Sequence, residues 1–343
     1  MRQILVVPFG LIMSALFALT GNYLLSLLIL TVFFKVILLP TAVSQQKGTS
    51  KQVRLQPKIK KIQTKFAGDQ RKIGEETQAL YSREGFNPTS AGCLPLLIQF
   101  PIMIGLYEVL YTPLTNVLGV ASGSVETLKR AYLLFKGVVT DPLIFQTTKI
   151  DDIVKQAVSD KLLNNTASRA LEIDVLKNFK DMAVNGSEAV RELLASVGNL
   201  SDTIISFNEK FSFMGVYLAD TPRDYKEVGA KILLIPLLAG VTALMSAIFM
   251  YIKQKQNNPE LAKNPSMGCM TFMSPAMSVM FTFMFPAGVG VYWIITNIIT
   301  FVQTIVLNYT HSPKKVIAQT MVEETITRRS RENMIKMRAQ LEK

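Results

Sequence analysis

Histidine and cysteine are scarce in this chain of 343 residues, which has one histidine and two cysteines. A Ser-His-Asp hydrolase needs a histidine beside its nucleophile, and the single His311 lies in the basic C-terminal part, which argues against that mechanism. No HExxH motif or His/Cys cluster indicates zinc, and no GxxxxGK(S/T) loop indicates ATP hydrolysis. Cys93 and Cys269 are interpreted as small buried hydrophobic residues rather than as a structural disulfide. These absences predict a protein that is not an enzyme and that uses no cofactor or metal.

Apolar residues make up 49% of the chain, and the formal net charge is nevertheless +12. Soluble domains of this size rarely combine the two properties. The apolar residues also fall in blocks of about 20, the length that a helix needs to cross the hydrocarbon core of a bilayer. The sequence therefore predicts an all-α integral membrane protein.

Five membrane-spanning helices are predicted, separated by polar segments of very different lengths. The predicted order is an outer-interface helix (1–21), a first span (22–41), a cytoplasmic helical hairpin (42–91), a second span (92–117), an extracytoplasmic helical insertion (118–230), a third span (231–252), a cytoplasmic loop (253–269), a fourth span (270–285), a fifth span (286–308) and a basic cytoplasmic tail (309–343).

The apolar residues 1–21 have three readings. A cleaved signal peptide fits Arg2 at its start, but no small-x-small cleavage site follows the run. A sixth span is weakened by Pro8 and Gly10. A helix lying at the outer membrane interface is favoured, and the other two readings stay open.

The orientation follows from the lysines and arginines. Residues 42–90 carry ten Lys/Arg against four Asp/Glu, and residues 309–343 carry eight against four. With five spans these segments lie on one side, and basic loops favour the cytoplasm. The N-terminus is then outside, the C-terminus is cytoplasmic, and the insertion 118–230 is outside.

Several polar residues stand inside the predicted spans. Lys35 lies in the first span, where a charge at mid-membrane costs about 2.5–3.5 kcal/mol, so it is expected to face protein or water. Thr31 precedes it by one helical turn on the same face. These residues could converge on a wet cavity that opens to the cytoplasm with Gln99 in the second span and with polar residues of the fifth span, namely Trp293, Thr296, Asn297, Thr300 and Gln303.

A plainer reading exists for each of these residues. The amides of Gln99 and Asn297 also serve as helix–helix contacts in membranes. Trp293 also fits an interfacial anchor, and Lys35 could extend along its helix to the cytoplasmic surface.

Methionines recur through the fourth span at spacings of three and four residues, which places them on one helix face. Flexible, polarizable methionine side chains suit a surface that accepts many different apolar partners, although such a stripe more often only packs. The stripe consists of Met267, Met270, Met273, Met277, Met280 and Met284.

The cytoplasmic hairpin is predicted to begin a helix at Pro57 and to turn at Gly68 and Asp69. Its helical apolar positions are Ile59, Ile62, Phe66, Ile73, Leu80 and Tyr81. It is either a solvated hairpin or a docking arm for cytoplasmic partners or anionic headgroups. The tail 309–343 is either solvated and partly disordered or in contact with an anionic partner, ribosomal RNA or lipid.

The insertion 118–230 is predicted to form three or four amphipathic helices. One apolar stripe consists of Ile150, Ile153, Val154, Ala157, Val158 and Leu162, and a second consists of Leu171, Val175, Phe179 and Met182. Thr148 with Asp151 resembles a capping box, and Ser187 is a candidate helix start.

Motifs in several of these segments resemble the YidC insertases, whose relatives include the mitochondrial and chloroplast insertases. The resemblance covers residues 23–117 and about 212–310. It rests on Lys35-Val-Ile-Leu-Leu-Pro40, Leu55-Gln56-Pro57-Lys58, Gly85-Phe-Asn-Pro88, Gly92-Cys-Leu-Pro-Leu-Leu-Ile-Gln-Phe-Pro101 and Phe285-Pro-Ala-Gly-Val-Gly-Val-Tyr-Trp293.

The resemblance implies a chaperone-like insertase of the bacterial plasma membrane with five core spans. It implies a hydrophilic groove that is open to cytoplasm and lipid, in which Lys35 is the cation, Gln99 the glutamine and Trp293 the tryptophan. Substrates, which are newly made membrane proteins, are expected to slide past the second and fourth spans without nucleotide hydrolysis. Action alone and action beside the Sec translocon both stay open.

Two departures from the family separate this chain from its relatives. The groove cation is most often arginine there, and lysine keeps the charge but loses the bidentate fork. Residues 119–211 have no counterpart in compact relatives. Two other functions are weighed: a small-solute channel or transporter that uses the buried lysine, and a scaffold for the assembly of membrane complexes.

Overall fold

The structure is a computed structural model that describes residues 2–86, 94–163, 167–257 and 265–341. Within those ranges the backbone alone is described at residues 2–6, 94–100, 167–169, 254, 257, 265–271, 338–339 and 341. The helices before the insertion are α1 (Arg2–Thr20), α2 (Tyr23–Ile37), α3 (Leu39–Lys65), α4 (Gln70–Arg83), α5 (Leu94–Tyr111) and α6 (Pro113–Asn116).

Those of the insertion are α7 (Ser122–Phe135), α8 (Ile144–Thr147), α9 (Ile150–Ser159), α10 (Ala167–Asn185), α11 (Glu188–Ala195), α12 (Ser201–Lys210) and α13 (Tyr225–Val228). The last helices are α14 (Leu234–Asn257), α15 (Pro265–Met284), α16 (Ala287–Thr310) and α17 (Pro313–Leu341). Short 3₁₀ turns cover Gly198–Leu200, Pro222–Asp224 and Ala230–Leu233, and two strands, β1 (Ser212–Phe213) and β2 (Val216–Tyr217), form a hairpin.

The chain divides into two compact units. The first comprises residues 1–33, 99–241 and 276–296, and it contains the whole of the insertion. The second comprises residues 34–98, 242–275 and 297–343, and it contains the helical hairpin of α3 and α4 as well as α17.

Among the described residues, two helical stretches are long and apolar enough to cross a membrane, Ala230–Lys253 and Ala287–Thr310. Counting α2 and α3 together, despite the 55° bend between them, adds a third. Shorter apolar helices cover Val7–Thr20, Pro101–Tyr111 and Phe272–Met284. The all-α membrane fold is confirmed, while the number of five spans stays a prediction.

The helix breaks inside the predicted first span. Helix α2 ends at Ile37, four residues before the predicted end of that span at residue 41. Pro40, near the start of α3, has no N–H to donate to a preceding helical carbonyl, so the chain bends there. Lys35 consequently lies in the last turn of α2 rather than well inside a straight span.

The predicted helical hairpin forms, but its first helix does not begin at Pro57. Helix α3 runs continuously from Leu39 to Lys65 and includes that proline, so the predicted start is wrong. The turn is as predicted: Gly68 adopts a φ of +94°, and the Asp69 carboxylate accepts the backbone N–H of Lys72 at 3.1 Å, which caps α4. The hairpin is held by a small core of Leu55, Ile59, Leu80 and Phe86, with Ile62 and Tyr81 packed against it.

Residues Pro313–Leu341 of the tail form one long helix, α17. Helix α17 packs along α3, and the Arg54 guanidinium donates two hydrogen bonds to the Glu324 carboxylate, at 2.8 and 2.9 Å. Such a bidentate pair fixes the geometry of two charged side chains better than a single contact does. The second half of α17 is exposed throughout its described side chains.

The insertion is helical as predicted, but its described residues form seven helices, α7 to α13, rather than three or four. Ile150, Ile153, Val154 and Ala157 are buried, as are Leu171, Val175, Phe179 and Met182, whereas Leu162, predicted on the first stripe, is exposed. The Ser187 hydroxyl accepts the backbone N–H of Val190, which confirms that residue as a helix start. The capping box at Thr148 is wrong, because Lys149 occupies the N-cap of α9 and no side chain caps that end.

The β1–β2 hairpin was not predicted, and it holds the start of α16. Met214 and Gly215 both have positive φ, as a two-residue hairpin turn requires. The chain then places the carbonyl oxygens of Leu218 and Asp220 at 2.7 Å from the backbone nitrogens of Gly288 and Ala287, respectively. Two N–H groups at the start of α16 thus have partners, which a helix start otherwise lacks.

Asp174 of α10 is the titratable group of the insertion with the clearest pH dependence. Burial raises the pKa of its carboxyl from 3.8 to about 6, while Lys177 and Lys136 act in the opposite direction. The folded insertion therefore holds a proton that the unfolded chain releases between these two values, so its stability falls as the pH rises from about 4 to 6. Burial raises the pKa values of Tyr132 and Tyr217, and the negative charge of Asp174 adds to both shifts.

Asp174→Asn is expected to remove this pH dependence. We expect the variant to be more stable than the wild type by about 2 kcal/mol at pH 7.5, after allowance for the partly exposed carboxyl, and equal to it near pH 4. Hydrogen exchange of the α10 amides at both pH values measures the difference locally. If the α10 amides of the wild type are more protected from exchange at pH 7.5 than at pH 4, the raised pKa of Asp174 is contradicted.

Candidate functional site

The Lys35 ammonium is a cation on an otherwise apolar helix. Its side chain is half-buried, and its Nζ donates a hydrogen bond to the Thr300 hydroxyl of α16 at 2.9 Å. The next residues, Val36 and Ile37, are exposed apolar side chains. Within the ranges that the structure describes, no carboxylate pairs with Lys35. A cation in apolar surroundings is costly unless water or a polar group stabilises it, and a single hydroxyl does so only in part.

Helix α16 presents a row of polar side chains in the second unit. Asn297, Thr300 and Thr304 recur at spacings of three and four residues and therefore share one helix face. The Asn297 amide donates to the Thr242 hydroxyl of α14 at 3.2 Å, and the Thr304 hydroxyl donates to the Thr300 carbonyl at 2.7 Å. Lys35 of α2 thus contacts the same helix, α16, that carries Asn297.

The other predicted groove residues have individual surroundings. Thr31, in the first unit, is buried, and its hydroxyl donates to the Leu27 carbonyl of its own helix at 2.6 Å. Trp293, also in the first unit, is half-buried and stacks on Phe281, with ring centroids 5.7 Å apart and an interplanar angle of 28°. Gln99 lies on α5, and its side chain is outside the described residues.

The methionines of α15 lie on a face that is largely exposed. The exposed fractions of Met273, Met280 and Met284 are 52%, 50% and 57%, and Met277 is half-buried. Met270 lies on the same helix, and its side chain is outside the described residues. An exposed methionine surface on an apolar helix is flexible and can adapt to different partners.

The opposite face of α15 is small, polar and buried. The Thr282 hydroxyl donates to the Ser278 carbonyl at 2.7 Å, and the Ser278 hydroxyl lies 3.4 Å from the Ala239 carbonyl of α14. Gly290 of α16 packs so closely on Ile235 that an added Cβ would overlap it. Small residues allow such close helix packing in membranes.

Thr242 was not predicted as a partner of Asn297. The sequence does contain a pattern that indicates it: Thr242 and Ser246 are hydroxyl residues four positions apart in an otherwise apolar span. The buried pair Ser278 and Thr282 has the same spacing on α15.

Residues 15–171 and 193–315 match the sequence profile of the family described as "60Kd inner membrane protein". Similar curated proteins include three named "Membrane protein insertase YidC". The protein from Aquifex aeolicus is 40% identical over 108 residues, which cover 32% of this chain and 21% of that protein. The protein from Fusobacterium nucleatum is 40% identical over 90 residues, 26% of this chain and 43% of that protein, and the protein from Clostridium perfringens is 39% identical over 106 residues, 31% and 44%.

The chain therefore spans less than half the length of each of these three relatives in the segments that match. The family profile, in contrast, covers both the stretch with Lys35 and the stretch with Asn297, and more than half of the chain in total. On that match, the chain belongs to the 60Kd inner membrane protein family.

Proposed function

We propose that this protein is a membrane protein insertase that helps substrate helices enter the bilayer through a hydrophilic groove open to cytoplasm and lipid. The observation that carries the proposal is the half-buried Lys35 ammonium, which has a hydroxyl partner and no carboxylate partner among the described residues. Its charge is available to an acidic residue of a passing chain. The names of the curated relatives support the same activity.

In this proposal, no nucleotide is consumed. Transfer of an apolar helix of about 20 residues from water to lipid is favourable by itself. The kinetic obstacle is the polar segment that must cross the hydrocarbon core. A wet groove shortens that crossing, and Lys35, Gln99, Trp293, Thr31 and Asn297 are the proposed groove residues.

The exposed methionine face of α15 is the proposed surface for substrate helices. Met273, Met280 and Met284 expose about half of their side chains each. Because methionine has three rotatable side-chain bonds, one surface of this kind can pack against helices of unrelated sequence. We propose that substrates slide along it into the lipid, and that a ribosome contacts the basic cytoplasmic hairpin and α17.

Purified protein in liposomes tests the function. Insertion of a single-span substrate with a short translocated segment is measured by its protection from added protease. We expect protection well above that in liposomes without the protein, and no leak of a small trapped solute. Protection equal to that in empty liposomes contradicts the proposal, and a solute leak supports a channel instead.

The proposed topology has five spans, with the N-terminus outside and the C-terminus cytoplasmic. Single cysteines at Ser187, in the insertion, and at Ser330, on α17, are therefore expected to react from opposite sides of the membrane in a background with Cys93 and Cys269 replaced by serine. An impermeant maleimide added to intact cells should label the first site only. Labelling of both sites from one side contradicts the orientation and the odd number of spans.

A further inference from the structure

We propose that Thr300 is a positioning residue that holds the Lys35 ammonium in place for an acidic segment of the substrate. The proposal rests on the 2.9 Å hydrogen bond from Lys35 Nζ to the Thr300 hydroxyl oxygen. The expected effect of Thr300 on substrate insertion rests on the proposed function, whereas its expected effect on the position and reactivity of the Lys35 ammonium does not.

The hydroxyl of Thr300 is used differently from its neighbours on α16. Thr304 and Thr310 each donate their hydroxyl to the carbonyl four residues before, at 2.7 and 2.9 Å. This back-bonding is the ordinary solution for a hydroxyl in an apolar helix. Thr300 instead directs its hydroxyl oxygen to Lys35, 265 residues earlier in the chain. The backbone carbonyl of Thr300 accepts the Thr304 hydroxyl, and the side-chain hydroxyl of Thr300 accepts the lysine.

A lysine needs such a partner more than an arginine does. The ammonium sits on a flexible four-carbon stem, and its charge can follow the stem towards the nearest water. Lys35 lies in the last turn of α2, so an unrestrained side chain could extend past the exposed Val36 and Ile37. The hydrogen bond that Lys35 donates to Thr300 uses one of the three N–H groups of the ammonium, and the other two remain for a carboxylate.

The geometry also assigns a chemical class to the ligand. A hydroxyl is neutral, so it orients the ammonium without cancelling its charge, which a carboxylate partner would do. The arrangement therefore favours a carboxylate of the substrate, Asp or Glu, over a neutral polar side chain. Thr300 holds the Lys35 ammonium at the position where it would bind such a carboxylate.

Three variants test the role of the hydroxyl. Thr300→Val removes it at nearly constant shape, Thr300→Ser keeps it, and Thr304→Val is the matched control because it removes a hydroxyl that bonds its own helix. Insertion into liposomes is compared for two substrates that differ only in an acidic or neutral translocated segment. We expect Thr300→Val to lower the acidic-to-neutral ratio by about tenfold, the size of a lost hydrogen bond to a charged group. Thr300→Ser and Thr304→Val should keep the wild-type ratio.

The second readout does not depend on insertion. The acetylation rate of Lys35 by acetic anhydride is measured by mass spectrometry in detergent, with exposed lysines as internal references. Loss of the hydroxyl removes a bond to the ammonium form and frees the stem, so acetylation should be several-fold faster in Thr300→Val alone. An unchanged rate there, or an equal increase in Thr304→Val, overturns the positioning role.

The two readouts separate the possible failures. Faster acetylation in a protein that inserts neither substrate contradicts the proposed function and leaves the positioning of Lys35 standing. A wild-type protein that inserts both substrates, combined with a Thr300→Val variant that loses both equally, indicates a general packing role and overturns the inference. In a Lys35→Ala background, Thr300→Val should lower the ratio no further, because the positioned group is already gone.

Discussion

Replacing Lys35 with alanine is expected to lower the insertion of substrates with an acidic translocated segment by at least tenfold. Substrates with neutral translocated segments should be affected little. A pair of opposite charges about 4 Å apart is worth roughly 4 kcal/mol at an effective dielectric constant of 20, before desolvation is subtracted. Even a third of that value changes a rate about tenfold. The measurement is an insertion assay with matched acidic and neutral substrates, after the amount of each variant in the membrane has been equalised.

Charge rather than shape is expected to decide the result at this position. Lys35→Arg should insert both substrates normally, because a guanidinium can also donate to the Thr300 hydroxyl and keeps its charge. Lys35→Glu should be worse than Lys35→Ala for the acidic substrate, because it replaces attraction by repulsion. Equal activity of the wild type and Lys35→Ala on the acidic substrate would leave Lys35 as a packing residue or as a side chain that extends to the surface.

The sequence predicted the elements whose signal is local. Apolar blocks located the helices Ala230–Lys253 and Ala287–Thr310, and apolar positions at helical spacing located the hairpin and the stripes of the insertion. Gly68 and Asp69 marked a turn because their backbone and capping chemistry is decided within a few residues. Lys35 was identified because one charge in an apolar run is costly wherever the helix packs.

The rest depended on contacts between residues far apart in the sequence. Thr300 was one polar residue among several on its helix, and only packing shows that its hydroxyl meets Lys35. Pro57 was read as a helix start, but the long α3 tolerates it where packing against α4 and α17 stabilises the helix. The carbonyls of Leu218 and Asp220 cap α16 through a short hairpin, and no local pattern predicts that contact.

Removal of Gly123–Asn208, joined by a flexible linker of about ten residues, is expected to leave insertion largely intact and to lower stability. The cut removes Phe207, whose ring meets Phe17 and Tyr23 edge-on at centroid distances of 5.4 and 6.4 Å. Loss of a buried aromatic residue typically costs about 3–5 kcal/mol. The second unit lies entirely outside the deleted segment, and it contains Lys35, Thr300, Asn297 and Thr242.

A longer deletion, Gly123–Asp220, is the matched comparison and is expected to abolish insertion. It also removes β1, β2 and the carbonyls of Leu218 and Asp220, which bond the backbone nitrogens at the start of α16. Unpartnered N–H groups in a water-poor setting each cost about 1–3 kcal/mol, so the α15–α16 turn, and with it the stacked Trp293, should lose its fixed geometry. Thermal unfolding and insertion are measured for both variants, each checked for its amount in the membrane. If the shorter deletion is stably produced and inserts nothing, residues 123–208 take part in insertion itself; if both deletions insert alike, the carbonyl cap on α16 is dispensable.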